Sequence, residues 1–357
     1  MPRTYEVLIM GASYGSLLGM KIAAAGHAVT LACRPEEVAA IAAKGVRIRM
    51  PVKGVQGLVE IDTRNLPGKL TADVPASIDP HAFDLVVLGM QEPQYGSVGV
   101  RSLLEAIANA KVPCMSIMNM PPPPYLERIP GVDANGCLAC YTDPGVWHAF
   151  DPSLMTLCSP DPQAFRPPGE PTNVLQVRLP TNFKVARFDS EAHTSMLREL
   201  ANGIDAFRFD SGRGEIELPV KLRVHDSVFV PLAKWSMLIA GNYRCVQKDG
   251  VRSIKEAVHG NIDESRAVYQ WVTDLCRKLG ASANDLVPFE KYANAAQSLE
   301  SPSSAARALA NGATNIERVD KLVQAIGTQQ GMRSDAVDAI VTLVDHWLAT
   351  SRQKKGS

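Results

Sequence analysis

The sequence carries no excess of charge of one sign: 37 Lys+Arg stand against 37 Asp+Glu, for a formal net charge of +0. A balanced chain sets up no global field that would recruit nucleic acid or an acidic membrane surface, so neither is an expected partner. No run of about eighteen apolar residues is present, and no signal-peptide pattern precedes the first strand, so a cytoplasmic location is expected. Cysteine is sparse. Seven scattered over 357 residues fit reduced thiols better than a disulfide framework. Cys137-Leu138-Ala139-Cys140 has no second Cys or His pair at zinc spacing. It reads as a strand, where positions three apart face opposite sides, so structural thiols and no metal are expected. Internal repeats and low-complexity tracts are also missing, so the chain is not a repeat array.

What is present is the composition of a soluble globular protein, 46% hydrophobic and 21% charged, with room in 357 residues for two domains. The chain is organised around its opening. Val7 to Met10 is an apolar strand, Gly11-Ala12-Ser13-Tyr14-Gly15 a tight turn, and Ser16 to Ala25 a helix. Gly26 ends that helix, and Ala28 to Ala32 is a second strand. Strand, small-residue turn, helix and strand in this order form the βαβ unit of a dinucleotide-binding fold. There the backbone N–H groups and the helix N-terminus meet a pyrophosphate. The turn is irregular: Ser13 stands where the fingerprint has its middle glycine, and Gly15 comes one position early. Read literally it is also the Gly-x-Ser-x-Gly nucleophile elbow, with Ser13 as nucleophile. Only about ten residues precede it, too few for the earlier strands and the oxyanion loop an elbow needs. Gly11, Ala12, Ser13, Tyr14, Gly15 and Ser16 are therefore read as the cofactor cradle.

The second strand bears on the choice of cofactor. NAD sites place an acid at its end to accept from the ribose 2′-OH. Here Leu31-Ala32-Cys33-Arg34 brings no acid before Glu36. A guanidinium suits the 2′-phosphate of NADP, although a surface arginine capping a strand end would look the same.

Further along, Glu37 to Lys44 reads as a helix and Val46 to Ile61 as a hairpin. Asp84 to Met90 is a central parallel strand, Ser97 to Ala110 a helix and Pro113 to Met118 another strand. Asn119 and Pro121 to Pro124 follow at the C-terminal edge of that sheet. The proline run is expected to be stiff and extended, as a cleft wall or a linker. Residues 136–213 alternate short strands with Pro/Gly-rich connections, apart from a helix over Glu191 to Gly203. Beyond about 215 helical periodicity takes over: Asp226 to Val246, Ser253 to Leu279, Ser303 to Asn311, Thr314 to Gln329 and Ser334 to Ser351. The chain is thus read as α/β. A Rossmann-type doubly wound parallel sheet with a β-rich extension occupies 1–214, and an all-helical substrate and dimerisation domain occupies 215–357.

Hydride chemistry needs a residue that gives or takes a proton. Lys234 is the only Lys or Arg between Arg223 and Arg244, in an otherwise apolar segment. Desolvation there would lower its pKa and make it a usable acid, while a lysine snorkelling from a core helix is the alternative. Asn242 would lie about 80° round an ideal helix from it.

Leu8 to Arg34 resembles the opening of the ketopantoate reductases (2-dehydropantoate 2-reductases), keeping Gly15-Ser16-Leu17-Leu18, Ala25-Gly26-His27, Val29-Thr30-Leu31 and Arg34. Asp84 to Gln94 is similar to the strand that ends in that family's cofactor-side lysine, with Gln91 in the lysine's place and Gln94 matching. Asn119 matches the family's Asn-Gly turn, Lys234 its general acid and Asn242 the second asparagine of the same helix, while Leu238 replaces the first. Ser301 to Ile316 resembles a further motif, in which Ser303 binds substrate and Asn315 stands for a glutamate, with Glu317 two residues on. The chain is on these grounds identified as a divergent member. The resemblance implies an NADP(H)-dependent oxidoreductase with no metal: hydride passes between NADPH and a 2-oxo or 2-hydroxy acid or related carbonyl compound. It implies Lys234 as acid and Asn119 as its orienting partner, Asn242, Ser303 and Asn315 toward the substrate, and Gln91, Arg34 and Asn119 toward the cofactor. It further implies a small-molecule substrate and a homodimer, with the active site between the two domains. A nucleotide-binding sensor or scaffold without turnover is the alternative, supported by Leu238.

Overall fold

The opening apolar run folds as β1 (Glu6–Met10), and Val7 to Met10 are all buried. In the computed structural model, which describes residues 3–356, β1 is followed by α1 (Gly15–Ala24), β2 (Ala28–Ala32) and α2 (Pro35–Lys44). The hairpin expected over 46–61 is β3 (Arg47–Pro51) paired antiparallel with β4 (Leu58–Asp62). Then come β5 (Lys69–Asp73), β6 (Leu85–Leu88), α3 (Val100–Ala110) and β7 (Cys114–Ile117). Next are β8 (Met155–Ser159), β9 (Gln163–Phe165), β10 (Val174–Leu179), β11 (Phe183–Ala186) and α4 (Glu191–Ala206). A short ribbon of β12 (Phe209–Asp210) and β13 (Glu215–Ile216) leads to β14 (Leu222–His225).

Eight of these strands form one sheet in the order β14-β11-β8-β7-β6-β1-β2-β5, and four form another in the order β4-β3-β10-β9. In the large sheet β1 runs parallel to both its neighbours, β2 and β6. The strand order therefore reverses at β1, and ligands of open α/β sheets bind at the carboxyl ends of strands at such a point. The glycine turn leaves that end. Both sheets feed one core, in which Ile9, Leu17 and Val87 share burial with Ile48, Met50 and Val177 of the smaller sheet. Local apolar alternation and β-branched content make these strands, and burial on both faces explains why Leu85–Leu88 has no polar position.

The chain contacts resolve two compact units. The first takes the chain up to Met90, Gln94–Met118 and Val146–Asp226. The second takes Gln91–Pro93, Asn119–Gly145 and the chain from Ser227 onward. The boundary expected at 214/215 is thus displaced to 226/227, because β14 joins the large sheet parallel to β11. The first unit also buries a lysine: Lys21 of α1 is 1% exposed, and its Nζ donates to the carbonyls of Leu218 (3.4 Å) and Pro219 (3.0 Å).

The second unit is mainly helical, as expected, with different breaks. Lys234–Met237 is α5; it continues as a π turn over Leu238–Asn242 and a 3-10 turn over Tyr243–Cys245, instead of one helix from Asp226 to Val246. Ser253 to Leu279 is two helices, α6 (Ile254–His259) and α7 (Ile262–Lys278), split at Gly260 and Asn261. There follow α8 (Phe289–Ala296), α9 (Ser304–Ala310), α10 (Val319–Gln329) and α11 (Asp335–Gly356). Asn135–Cys140 is a 3-10 helix and not the strand expected there. Cys137 and Cys140 are buried free thiols, and burial pushes the first up to about 11 and the second to about 12, so both stay protonated and inert. The four prolines are buried. Pro122 is extended but Pro123 opens a helical turn, Pro123–Leu126, where its missing N–H costs nothing. Among the described residues no helix is long and apolar enough to cross a membrane.

Candidate active site

Two groups of residues gather the predicted positions, one in each unit.

In the first unit Gly11 adopts φ +102, and a Cβ there would lie 2.9 Å from Met90 Cγ and 3.2 Å from the Gly89 carbonyl oxygen. A Cβ on Gly15 would meet Ile9 Cγ2 at 2.5 Å, so α1 seats directly on β1. The two glycines are thus needed for the turn and for its packing, although they miss the standard spacing. Ser13 is exposed. Tyr14 precedes the first residue of α1, and its hydroxyl donates to the Pro162 carbonyl at 2.8 Å. The Ser16 hydroxyl turns back onto the Ala12 carbonyl. This cradle fits a pyrophosphate: a small-residue turn at a switch-point strand, with the open N–H groups of a ten-residue helix behind it.

Arg34 caps α2 and is 64% exposed. Its Nε and its backbone N–H donate to Glu37 Oε2 at 3.2 Å and 3.1 Å, and its Nη1 lies 3.1 Å from Glu36. The other Glu37 oxygen, Oε1, accepts from Arg166, a residue that sequence reading did not single out. Burial pushes the Glu37 carboxyl up, but the hydrogen bonds from Arg34 and Arg166 outweigh it and hold the group below the usual range. Both oxygens of Glu37 are therefore committed to guanidinium groups.

In the second unit Asn119 donates through Nδ2 to Glu317 Oε2 at 3.1 Å, and among the described residues no hydrogen-bond partner meets its buried Oδ1. Burial pushes the Glu317 carboxyl up to about 7, against the hydrogen bonds from Asn119 and the Glu92 backbone and the pull of the Lys234 ammonium. Lys234 is the first residue of α5 and is partly exposed. Glu92, buried, also sits above its ordinary value through burial, despite accepting from the Thr142 backbone and hydroxyl at 2.8 Å each. Lys234, Asn119, Glu317 and Glu92 thus form one electrostatically coupled group.

The segment that carries Glu317 is anchored on both sides. The Tyr243 hydroxyl donates to the Glu317 carbonyl and accepts from Val319 N–H at 3.1 Å. Arg318 is held by Asp320 at 2.9 Å. Tyr243 directly follows the π turn, and a contact far along the chain accounts for that turn. Tyr292 donates its hydroxyl to the Met237 carbonyl at 3.0 Å, and a Cβ on Gly241 would run into that tyrosine hydroxyl. A hydroxyl entering the helical ladder beside a glycine widens the turn by one residue. Asn242 therefore does not keep the offset from Lys234 that an ideal helix would give it.

The remaining predicted substrate residues are engaged elsewhere. Ser303 donates to the Asn242 carbonyl at 2.7 Å and accepts from Ala306 N–H at 3.2 Å, so its hydroxyl caps α9 and braces the π turn. Asn315 is exposed and accepts from Arg352 at 3.0 Å; Glu317, two positions on, is the residue bonded to Asn119. Gln91 lies exposed beside the buried Glu92.

No protein-family model matches the chain, and no curated protein matches it by sequence. Solved structures do. A 2-dehydropantoate 2-reductase from Methylococcus capsulatus has a TM-score of 0.65 at 14% identity, covering 97% of each chain. Another from Geobacter metallireducens GS-15 has 0.62 at 16% identity, covering 96% of this chain and 99% of that one. A D-mandelate dehydrogenase, in a ternary structure with NADH and anilino(oxo)acetate, has 0.61 at 14% identity, with 97% and 99% covered. The chain has the ketopantoate reductase fold over nearly its whole length, and the resemblance read from the sequence holds at that level.

Proposed function

We propose that the protein is an NADP(H)-dependent oxidoreductase acting on a 2-oxo or 2-hydroxy acid or a related carbonyl compound. The observation that carries this reading is the coupled group of Lys234, Asn119 and Glu317. NADPH would supply the hydride; the residues of the chain bind it and manage the proton. Gly11 to Ser16 would cradle the pyrophosphate. Arg34 would meet the 2′-phosphate, while both oxygens of Glu37 already pair with guanidinium groups, which disfavours that acid as the acceptor for the ribose hydroxyl of NAD.

Lys234 holds the proton destined for the carbonyl oxygen at its Nζ. Glu317, ionising near neutrality, stabilises that ammonium when charged and can hold a proton for it when neutral. Asn119 holds the carboxyl through its Nδ2, and its Oδ1 would accept from the lysine. Asn242 remains the candidate substrate contact on the helical side. The solved structures of this fold described above include one with NADH and an oxo-acid ligand, which supports this substrate class.

Calorimetric titration of NADPH and NADH against wild type and Arg34→Ala tests the cofactor. A charge-assisted phosphate pair of about 1.5–3 kcal/mol predicts a ten- to hundredfold preference for NADPH, lost in the variant. Equal wild-type affinities would sink the assignment. Consumption of NADPH across a panel of 2-oxo acids then tests the reaction; no turnover on any of them would favour the sensor reading that Leu238 suggests.

A further inference from the structure

The cation at the end of β2 has a companion. Arg166 follows β9, the edge strand of the four-stranded sheet, and alternation along that strand puts it on the same side as Ala164, which packs against the core. From there it reaches Glu37, whose other oxygen binds Arg34, so one carboxylate holds two guanidinium groups. The same strand begins beside Pro162, whose carbonyl accepts from Tyr14 of the glycine turn. Residues 162–166 therefore touch both the residue that opens α1 and the acid that braces Arg34.

Two like charges converging on one carboxylate are under-neutralised. Glu36 is the remaining acid, and its pair with Arg34 is solvent-exposed and correspondingly weak. Each guanidinium carries five N–H donors, and these contacts use only part of them. A phosphate monoester, with a charge of about −1.5 to −2 near neutral pH and three acceptor oxygens, is the complement of such a pair. We propose that Arg166 is a second arginine for the 2′-phosphate of NADP, and that Glu37 is the positioning residue that aims both guanidinium groups. The proposal rests on the NADP reading above.

Calorimetry with adenosine 2′,5′-bisphosphate and with 5′-AMP as probes tests it without turnover, with thermal melting to verify folding. Wild type should prefer the bisphosphate by tenfold or more. Arg166→Ala should lose about tenfold on the bisphosphate while 5′-AMP affinity stays within twofold. Arg166→Lys, which keeps the charge but not the planar fork, should fall between. A wild type that does not distinguish the probes overturns the NADP reading and this proposal together. A wild type that does, with Arg166→Ala unchanged or weakened equally toward both probes, overturns this proposal and leaves the role of Arg34 standing. Should Arg166→Ala fail to fold, the lysine variant decides: a severalfold selective loss supports the proposal, and unchanged affinities refute it.

Discussion

Replacing Glu317 by glutamine gives a test whose sign and size follow from the structure. Burial raises this carboxyl from 4.5 to about 7. Between those values the folded protein keeps a proton that the unfolded chain has released, so stability must fall as pH rises. At 1.36 kcal/mol per unit, the shift from 4.5 to about 7 amounts to roughly 3 kcal/mol, present below the unfolded value and gone above the folded one. Glutamine mimics the neutral carboxyl and can still accept from Asn119. Urea unfolding of both proteins from pH 4 to 9 should therefore give similar stabilities at the acid end and a variant more stable by about 2–3 kcal/mol at pH 8. Lys234→Met in the wild-type background removes the cation that pulls the carboxyl down, and should push the upper end of the window above pH 7. Parallel pH profiles for wild type and Glu317→Gln would refute the buried, coupled carboxyl and the proton role built on it.

Lys234→Met should leave NADPH binding intact by calorimetry and cut single-turnover NADPH oxidation by about a hundredfold, the scale for losing a general acid; a variant as fast as wild type removes Lys234 from the mechanism. Gly11→Ala should lower stability by about 1–3 kcal/mol in denaturant titration, because φ +102 and a Cβ 2.9 Å from Met90 are both unfavourable. Burial, aided by Lys221, brings Lys21 from 10.5 down to about 7, so its unfolded form binds the extra proton between those values and stability should rise with pH there. Lys21→Met should flatten that alkaline rise, and an unchanged slope would count against a neutral buried lysine. A serine-directed fluorophosphonate should leave Ser13 unlabelled; stoichiometric labelling would revive the nucleophile elbow.

The elements that could be read in advance were those whose cause is local. Ala28–Ala32 came out at its expected bounds, and α1 within a residue of them, because the apolar run and the glycine punctuation are contained in the segment itself. Elements shaped by distant contacts were hidden. Periodicity over Asp226 to Val246 carries no trace of the Tyr292 hydroxyl that widens the helix at Gly241. The apolar Cys137 to Cys140 looked like a strand but lies in a 3-10 helix held by the second unit. Matching by motif placed the acid's substitute at Asn315, whereas the anchors at Tyr243 and Asp320 bring Glu317 to Asn119. Arg166 could not have been paired with Arg34 from sequence, since the two meet through Glu37, 129 residues before Arg166.

The segment Asn119–Gly145 has a consequence for how the chain is made. It lies between stretches of the first unit but belongs to the second. Its bonds close loops of nearly two hundred residues: Asn119 to Glu317, Asp133 to Gln329 and Gly131 to Gln330. During synthesis at about 5–20 residues per second, this segment leaves the ribosome well before its partners in α10 exist. Met120, Tyr125, Leu126 and Cys137, all fully buried in the finished protein, must wait uncovered for roughly ten seconds or more. A chain truncated after residue 226 would carry all eight strands of the large sheet together with an apolar excursion lacking its partners. No single cut of the gene can separate the two units cleanly.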